Sequence, residues 1–329
     1  MVFIIFTLAA ILTVLAAIEL SKSADKLSEK TALGGFLIGT LLLSGATSLP
    51  EVTTSFSAVL IGNPDIAVGN ILGSNMFNIF IIAYFDLYYR KRRLFHLASP
   101  NHYYTAALGL TLSAMTLASL INKSEYHVLW VGLNSVMIVI IYALGMYIIH
   151  RTTKQPSNKT VIENKVNQHR RLNASLLVAM LKFLLAAITI LVAGTILSIF
   201  GDEIAEVTGL ESTFIGSFLM AVTTSLPETV AIWMAFKLRN INLAIGTILG
   251  SNIFNLLILV GSDILYQTNP ILVDVADSHF ITAISVTCLS LLLLLSLMRK
   301  KTTSTLSYIT PSLLIIMGYF LTTYYLFNQ

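Results

Sequence analysis

The sequence Thr-Ser-Leu-Pro-Glu occupies residues 47–51, and the same five residues occur again at residues 224–228. A second motif follows each copy, Gly-Ser-Asn-Met-Phe-Asn at residues 73–78 and Gly-Ser-Asn-Ile-Phe-Asn at residues 250–255. Both pairs of motifs are separated by the same 177 residues. Because two motifs keep their order and one common offset, we interpret the chain as two copies of one unit.

The composition around these motifs is strongly apolar. Of the 329 residues, 56% are hydrophobic and only 11% are charged, whereas an average soluble domain carries about 25% charged residues. Apolar runs of roughly 20 residues recur from end to end, and a helix of that length crosses a hydrocarbon core about 30 Å thick. The composition excludes a soluble enzyme and predicts an all-α polytopic membrane protein.

The apolar runs predict ten transmembrane helices. They lie at residues 2–20, 33–61, 66–88, 102–121, 126–149, 174–200, 213–238, 241–265, 279–298 and 307–327. Five helices fall in each copy, residues 1–149 and 174–329, and the polar segment 150–173 reads as a linker between them. Since five is odd, the second copy enters the membrane from the opposite side, so we predict two inverted five-helix repeats.

The basic residues set the predicted orientation. With the N-terminus outside, the inner loops hold 18 of the 20 lysines and arginines, as expected from the excess of positive charge in cytoplasmic loops. Lys123 lies in a short outer loop, and Lys182 lies close enough to an inner helix end to snorkel. The net charge of +4 therefore reflects topology and does not indicate nucleic-acid binding. We predict an integral plasma-membrane protein with both termini outside and a cytoplasmic linker, with the bilayer as its environment and no required protein partner.

Two carboxylates lie deep in predicted spans, Glu51 and Glu228. An ionised side chain at that depth costs roughly 2.5–3.5 kcal/mol on the lenient insertion scale. Two nearby carboxylates also repel each other, and the sequence places no lysine or arginine at a comparable depth. A bound cation or proton is the counter-charge that remains.

Proline precedes each of these glutamates. Pro50 and Pro227 lack an N–H, so we expect an interrupted helix with carbonyl oxygens released near the middle of the membrane. Interrupted helices in corresponding positions of two inverted halves point to the substrate site of a secondary transporter.

Hydroxyl and amide oxygens surround the glutamates in the pattern. Thr47 and Thr224 precede them by four residues, a spacing that puts hydroxyl and carboxylate on one helix face. The further members of the predicted shell are hydroxyls next to the threonines and hydroxyl–amide pairs four residues apart in the second motif, namely Ser48, Ser225, Ser74, Asn78, Ser251 and Asn255. Such an all-oxygen shell suits hard cations such as Ca2+ and Na+. Its charge of −2 equals one divalent ion or two monovalent ions, which is a physical basis for exchange.

At these motifs the sequence resembles the cation/calcium exchanger superfamily, specifically the sodium/calcium exchangers with ten helices and two inverted α-repeats. The corresponding α-repeat regions are residues 36–86 and 213–263. The resemblance implies transport of Ca2+ and Na+ without a cofactor and without enzymatic activity. It also implies a central Ca2+ site made of Thr47, Glu51, Thr224 and Glu228.

The same resemblance implies flanking Na+ sites and a moving part. The Na+ sites are formed by the two carboxylates with Ser48, Ser74, Ser225 and Ser251, while Asn78 and Asn255 match the amide or acid position between them. Spans 2–20 and 174–200 are expected to slide against the remaining helices to alternate access.

Three details of the sequence bear on the coupling ion and on regulation. Potassium-dependent relatives typically carry Asp at the position of Asn255, so the amide argues against K+ co-transport. Proton-coupled relatives use a motif rich in Gly-Asn-Ala, whereas Glu51 and Glu228 follow Ser-Leu-Pro. The linker is too short for the large cytoplasmic regulatory domain of animal exchangers.

Na+-driven Ca2+ antiport by alternating access is the leading hypothesis, and other readings stay open. The same fold can couple to H+ or K+, or move another divalent ion. From different classes, a cation channel also lines its pore with acidic oxygens, and an intramembrane enzyme could use two carboxylates, although no Ser/His or metal-ligand constellation accompanies them.

The predicted orientation can be tested by cysteine labelling. In a Cys288→Ser background, Lys154→Cys in the linker should react with a membrane-impermeant thiol reagent only from the cytoplasmic side. Lys123→Cys, in a predicted outer loop, is the matched control and should react from outside. Labelling of the linker position from outside would overturn the topology.

Overall fold

The computed structural model describes residues 1–30, 45, 47–123, 126–152, 169–237, 241–299 and 304–329. The described chain is almost entirely helical, which confirms the all-α part of the predicted fold class. The beginning of predicted span 33–61 and most of the linker lie outside the described residues.

The elements of the first half are numbered in chain order. They are α1 (Val2–Lys30), α2 (Leu49–Leu60), α3 (Pro64–Tyr88), α4 (Leu94–Leu97), α5 (His102–Asn122), β1 (His127–Val128), β2 (Val131–Gly132) and α6 (Leu133–Thr152).

The second half continues the numbering. Its elements are α7 (His169–Thr208), α8 (Ser212–Phe214), a π-helical turn (Ile215–Met220), α9 (Ala221–Thr224), α10 (Leu226–Lys237), α11 (Ile241–Tyr266), α12 (Ile271–Asp274), α13 (His279–Met298) and α14 (Thr305–Phe327).

Within the described ranges, eight helices are long and apolar enough to cross a membrane. The count is nine if Ser212–Thr224 and Leu226–Lys237, which meet at an angle of 43°, form one bent span. The remaining predicted span, 33–61, is described mainly through α2. The count of ten therefore stays a prediction.

Two predicted boundaries were wrong. Span 126–149 begins with a two-stranded hairpin in which His127 pairs with Gly132, and its helix starts only at Leu133. The hairpin is held by the Asp263 carboxylate, which accepts the N–H of Gly132 at 2.9 Å, a contact that no local sequence pattern reveals. Span 174–200 is the central part of the longer helix α7, which covers 40 residues.

Helices α3 and α11, which carry the second motif, form the centre of the protein. In their most apolar windows, 94% of α3 and 72% of α11 are buried, against 17% for α6. Small residues allow this close packing. A Cβ atom built on Gly73 would lie 2.2 Å from the carbonyl oxygen of Ser217, so the absence of a side chain at this glycine allows the two backbones to approach closely.

The same contacts recur in both halves at the 177-residue offset. The Asp65 carboxylate accepts the N–H of Ala276 at 2.7 Å, and the Asn242 side-chain oxygen accepts the N–H of Ser99 at 2.8 Å. Asp65 is the counterpart of Asn242, and Ser99 is the counterpart of Ala276. Each half therefore docks onto the other through equivalent hydrogen bonds.

Helices α1 and α7 pack along each other at one side of this centre. The Nζ of Lys182 on α7 lies 3.0 Å from the Oε1 of Glu19 on α1. The sequence predicts a snorkelling lysine, and in the structure this lysine also links two helices. Helix α7 contacts α2 as well, since the Ser198 hydroxyl donates to the Thr54 carbonyl at 2.7 Å.

The close approach at Gly73 generates a stability prediction. Gly73→Ala would force α3 away from the backbone of Ser217, and overpacking of this kind typically costs about 1–3 kcal/mol. We expect a lower melting temperature of the purified protein. Gly109→Ala is the matched control, because its added Cβ would meet only the Cγ1 of Ile253, at an ordinary 3.6 Å. Equal melting temperatures of the two variants would contradict the prediction.

Candidate cation site

Both glutamates follow a break in helical structure. Ser48 and Ser225 have similar backbone angles, φ −88° and ψ 11° against φ −89° and ψ 4°, and a helix begins at the next residue. In the second copy the break separates α9 from α10 with the 43° bend. The predicted interruption is thus confirmed in the second copy, and in the first copy α2 begins at the corresponding residue.

Each carboxylate is held by the serine of the other copy. The Ser225 hydroxyl donates to Glu51 Oε1 at 3.0 Å, and the Ser48 hydroxyl donates to Glu228 Oε1 at 3.1 Å. Both glutamates are fully buried. These reciprocal bonds bring the two motifs, 177 residues apart, to one place.

Each threonine likewise contacts the glutamate of the other copy. Thr224 interacts with the carboxylate of Glu51, and Thr47 with that of Glu228. The sequence predicts each threonine on one helix face with the glutamate of its own copy, and this was wrong. A spacing of four places residues together only in a continuous helix, and here the helix breaks between them.

One oxygen of each carboxylate has no hydrogen-bond partner among the described residues. Within the described residues, the Oε2 atoms of Glu51 and Glu228 accept no hydrogen bond, and neither side chain pairs with a basic residue. The two carboxylates are close enough to repel each other. Buried oxygens without donors carry a desolvation cost that a bound cation or proton removes.

Two other buried acids differ from the central glutamates in that both of their carboxylate oxygens accept hydrogen bonds. Asp86 accepts hydrogen bonds from the hydroxyls of Tyr308 and Ser312, the second at 2.7 Å. Asp263 accepts the N–H groups of Ile271 at 2.7 Å and Gly132 at 2.9 Å. Both oxygens of each aspartate are satisfied, so these carboxylates hold helix ends and hairpins in place.

The asparagines of the second motif form a reciprocal amide network between α3 and α11. The Nδ2 of Asn78 donates to Asn252 Oδ1, and the Nδ2 of Asn255 donates to Asn75 Oδ1, both at 3.0 Å. Asn75 and Asn252 each also donate to the other's backbone carbonyl. The network leaves the Oδ1 atoms of Asn78 and Asn255 without a partner in the described structure.

The serines of the second motif complete the set. The Ser74 hydroxyl lies 3.4 Å from the Thr224 hydroxyl, and the Ser251 hydroxyl is buried with no hydrogen-bond partner among the described residues. Every predicted site residue is at most 1% exposed; the set is Thr47, Ser48, Glu51, Ser74, Asn78, Thr224, Ser225, Glu228, Ser251 and Asn255. The prediction thus selected ten buried oxygen-bearing side chains.

Sequence reasoning missed Asn70. Its side-chain oxygen accepts the Thr224 hydroxyl at 3.1 Å, and the residue is fully buried. The spacing held a signal, because residues 70, 74 and 78 are four apart and share one face of α3. The counterpart of Asn70 in the second copy is Thr247. A search for residues that are identical in the two copies therefore does not select Asn70.

The chain matches a known family over most of its length. The model of the family described as sodium/calcium exchanger protein matches residues 1–151 and 178–328. The chain belongs to this family. The predicted resemblance to the cation/calcium exchanger superfamily is confirmed, and the chain is accordingly a member of a family of ion exchangers.

Named relatives of this exchanger-family chain cover most of its length. The inner membrane protein YrbG of Escherichia coli strain K12 is 27% identical over 255 residues, covering 76% of this chain and 75% of the relative. The sodium/calcium exchanger MaX1 of Methanosarcina acetivorans is 24% identical over 320 residues, covering 89% and 90%.

Solved structures share the fold. The H+/Ca2+ exchanger CAX superposes with a TM-score of 0.66 at 14% identity, covering 99% of this chain and 90% of that one. The sodium-calcium exchanger NCX_Mj, soaked with Na+ and Sr2+, superposes with a TM-score of 0.61 at 20% identity, covering 97% and 96%. The fold is therefore common to exchangers whose names carry different coupling ions.

Proposed function

We propose that this protein exchanges Na+ for Ca2+ by alternating access at a site centred on Glu51 and Glu228. The observation that supports it is the pair of fully buried carboxylates, each with an oxygen that no described donor or base satisfies. Ca2+ is bound in this proposal by Thr47, Glu51, Thr224 and Glu228.

The charge of the two carboxylates explains why Na+ and Ca2+ would exchange at this site. One Ca2+ or two Na+ neutralise two carboxylates, so the ions compete for the same oxygens. A site holding two bare carboxylates carries a desolvation cost of roughly 2.5–3.5 kcal/mol per charge in the membrane. The empty transporter therefore resists reorientation, and movement of one ion is coupled to return of the other.

The proposed Na+ sites use serine hydroxyls that lie beside the central carboxylates in the set of predicted site residues. In the proposal, Ser48, Ser74, Ser225 and Ser251 bind Na+ together with the carboxylates. In the part of the chain that the structure describes, the side-chain oxygens of Ser251, Asn78 and Asn255 have no hydrogen-bond partner, and these buried neutral acceptors support the assignment. A neutral amide at position 255 adds an oxygen ligand without adding negative charge.

The proposed transport cycle places ten helices in two inverted five-helix repeats. The equivalent contacts at the 177-residue offset support the repeat relation. Helices α1 and α7 are the proposed moving pair, supported by their mutual packing and by the ion pair between Glu19 and Lys182. We place the protein in the plasma membrane with both termini outside and the linker in the cytoplasm.

H+-coupled Ca2+ exchange is the second candidate. The carboxylate oxygens that accept no hydrogen bond from any described residue can take up a proton as well as a cation, and the H+/Ca2+ exchanger CAX shares the fold. The Ser-Leu-Pro-Glu motif favours Na+ over this alternative.

Imposed ion gradients separate the two candidates. Proteoliposomes loaded with Na+ and diluted into Na+-free buffer should accumulate 45Ca2+, because outward Na+ movement drives Ca2+ inward. A K+ gradient or a pH gradient of equal size should leave uptake at the level of protein-free vesicles. Uptake driven by the pH gradient without Na+ would instead identify H+ coupling, and single-channel Ca2+ currents would identify a pore.

Removal of either central charge should disable exchange. Glu51→Gln or Glu228→Gln keeps the side-chain shape but removes a charged ligand, whose hydrogen-bond or ligand contribution is typically about 1.5–3 kcal/mol, or roughly 10- to 150-fold in affinity. We expect Na+-dependent 45Ca2+ uptake to fall by at least about tenfold. Glu206→Gln, at an exposed acid, is the matched control and should transport normally. Full uptake by either central variant would rule out the site.

A further inference from the structure

Asn75 and Asn252 contact the two amides of the proposed site, although neither belongs to the predicted set of site residues. Asn75 is on α3, and Asn252 is its counterpart on α11, 177 residues later. The Nδ2 of Asn75 donates to the backbone carbonyl of Asn252 at 3.2 Å, and the Nδ2 of Asn252 donates to that of Asn75 at 3.4 Å. Both side chains are buried, so water does not replace these partners.

The backbone carbonyls fix the orientation of these two side-chain amides. A carbonyl oxygen can only accept, so the group that each amide turns toward it must be the NH2. The Oδ1 of Asn75 therefore points to Asn255, and the Oδ1 of Asn252 points to Asn78. If nitrogen and oxygen were exchanged, an amide oxygen would face a carbonyl oxygen with no proton between them.

The orientation passes on to the amides of the site. Because the Oδ1 of Asn75 can only accept, Asn255 must present its NH2 group to it, at 3.0 Å. Asn78 stands in the same relation to Asn252, also at 3.0 Å. The oxygen of each amide lies on the other branch of the same planar group. Among the described residues, the Oδ1 atoms of Asn255 and Asn78 accept no hydrogen bond.

An amide oxygen beside the carboxylates suits a hard cation. Asn78 follows Ser74 by four residues on α3, and the Ser74 hydroxyl lies 3.4 Å from the Thr224 hydroxyl, so this face of α3 turns to the site. A neutral oxygen contributes a ligand without adding charge. An NH2 group in the same place would direct its protons toward the cation and repel it.

We propose that Asn75 and Asn252 are positioning residues, which turn the amide oxygens of their partners toward the cation and thereby raise the affinity of the site for Na+. Their partners are Asn255 and Asn78, respectively. The inference rests on the proposed function, because it assigns the two amide oxygens to Na+. Ca2+ is bound in that function by the threonines and glutamates, so the two ions depend unequally on these positioning residues.

The test compares Na+ and Ca2+ binding by the same purified protein. Equilibrium 45Ca2+ binding without Na+ gives the Kd for Ca2+. The Na+ concentration that displaces half of the 45Ca2+, with Ca2+ held at its Kd, reports the affinity for Na+. For Asn75→Leu, which removes the acceptor that holds Asn255, we expect this Na+ concentration to rise between about threefold and tenfold, the range for one hydrogen bond. The Kd for Ca2+ should stay within about twofold of wild type.

A double-mutant cycle shows whether Asn75 acts through Asn255. Asn255→Leu removes the amide itself, so the double variant should need no more Na+ than Asn255→Leu alone. Additive increases, or an equal weakening of Na+ and Ca2+ binding, would overturn the proposal. Thr247→Val is the matched control, because Thr247 is a buried polar residue of α11 whose hydroxyl donates to a carbonyl of its own helix at 2.9 Å. This control should leave both affinities unchanged.

Two further variants keep the proposal falsifiable if Asn75→Leu does not fold. Asn252→Leu releases Asn78 in the same way, and Asn75→Ala removes the amide with a smaller side chain. Each should raise the displacing Na+ concentration at a nearly constant Kd for Ca2+. Normal displacement in the folded variants, with wild-type protein releasing 45Ca2+ to Na+, would overturn this inference alone. Wild-type protein that binds 45Ca2+ but does not release it to Na+ would overturn the proposed Na+ coupling as well.

Discussion

The structure depends on the burial of two carboxylates that repel each other. Glu51 and Glu228 lie at the contact between the two copies, fully excluded from solvent, with one oxygen of each left without a described donor. Such an arrangement is unfavourable until positive charge arrives. The broken helices, the small residues on α3 and the amide network between α3 and α11 all serve to hold this charge pair in a closely packed interior.

The site is assembled from both copies in a way that neither copy could achieve alone. Each carboxylate receives its serine and threonine contacts from the opposite motif, and the asparagines of the second motif bond across α3 and α11. A movement of one half relative to the other therefore alters the ligands of both carboxylates together. This coupling of site geometry to the relative position of the halves is what an alternating-access exchanger requires.

Among the described residues, the buried acids of this chain differ in whether donors reach both of their oxygens. Asp86 and Asp263 are buried as deeply as the central glutamates, but donors occupy both oxygens of each, so they fasten helix ends and the short hairpin. The sequence singled out Glu51 and Glu228, because each lies mid-span after a proline. It missed Asn70, since the residue has no identical counterpart in the second copy and its partners Ser55 and Thr224 lie on other elements.

The sequence by itself determined the membrane class, the two copies of each motif and the family, and it selected the ten oxygen-bearing residues of the proposed site. The length of the apolar runs, the constant offset between the motifs and the rarity of acids within the spans can all be read from the sequence without a structure. Only the tertiary structure decided which threonine serves which glutamate, where the hairpin replaces a helix, and which oxygens remain without donors. Those outcomes depend on contacts between residues distant in the chain and on helix breaks that interrupt the local periodicity, so no spacing rule could supply them.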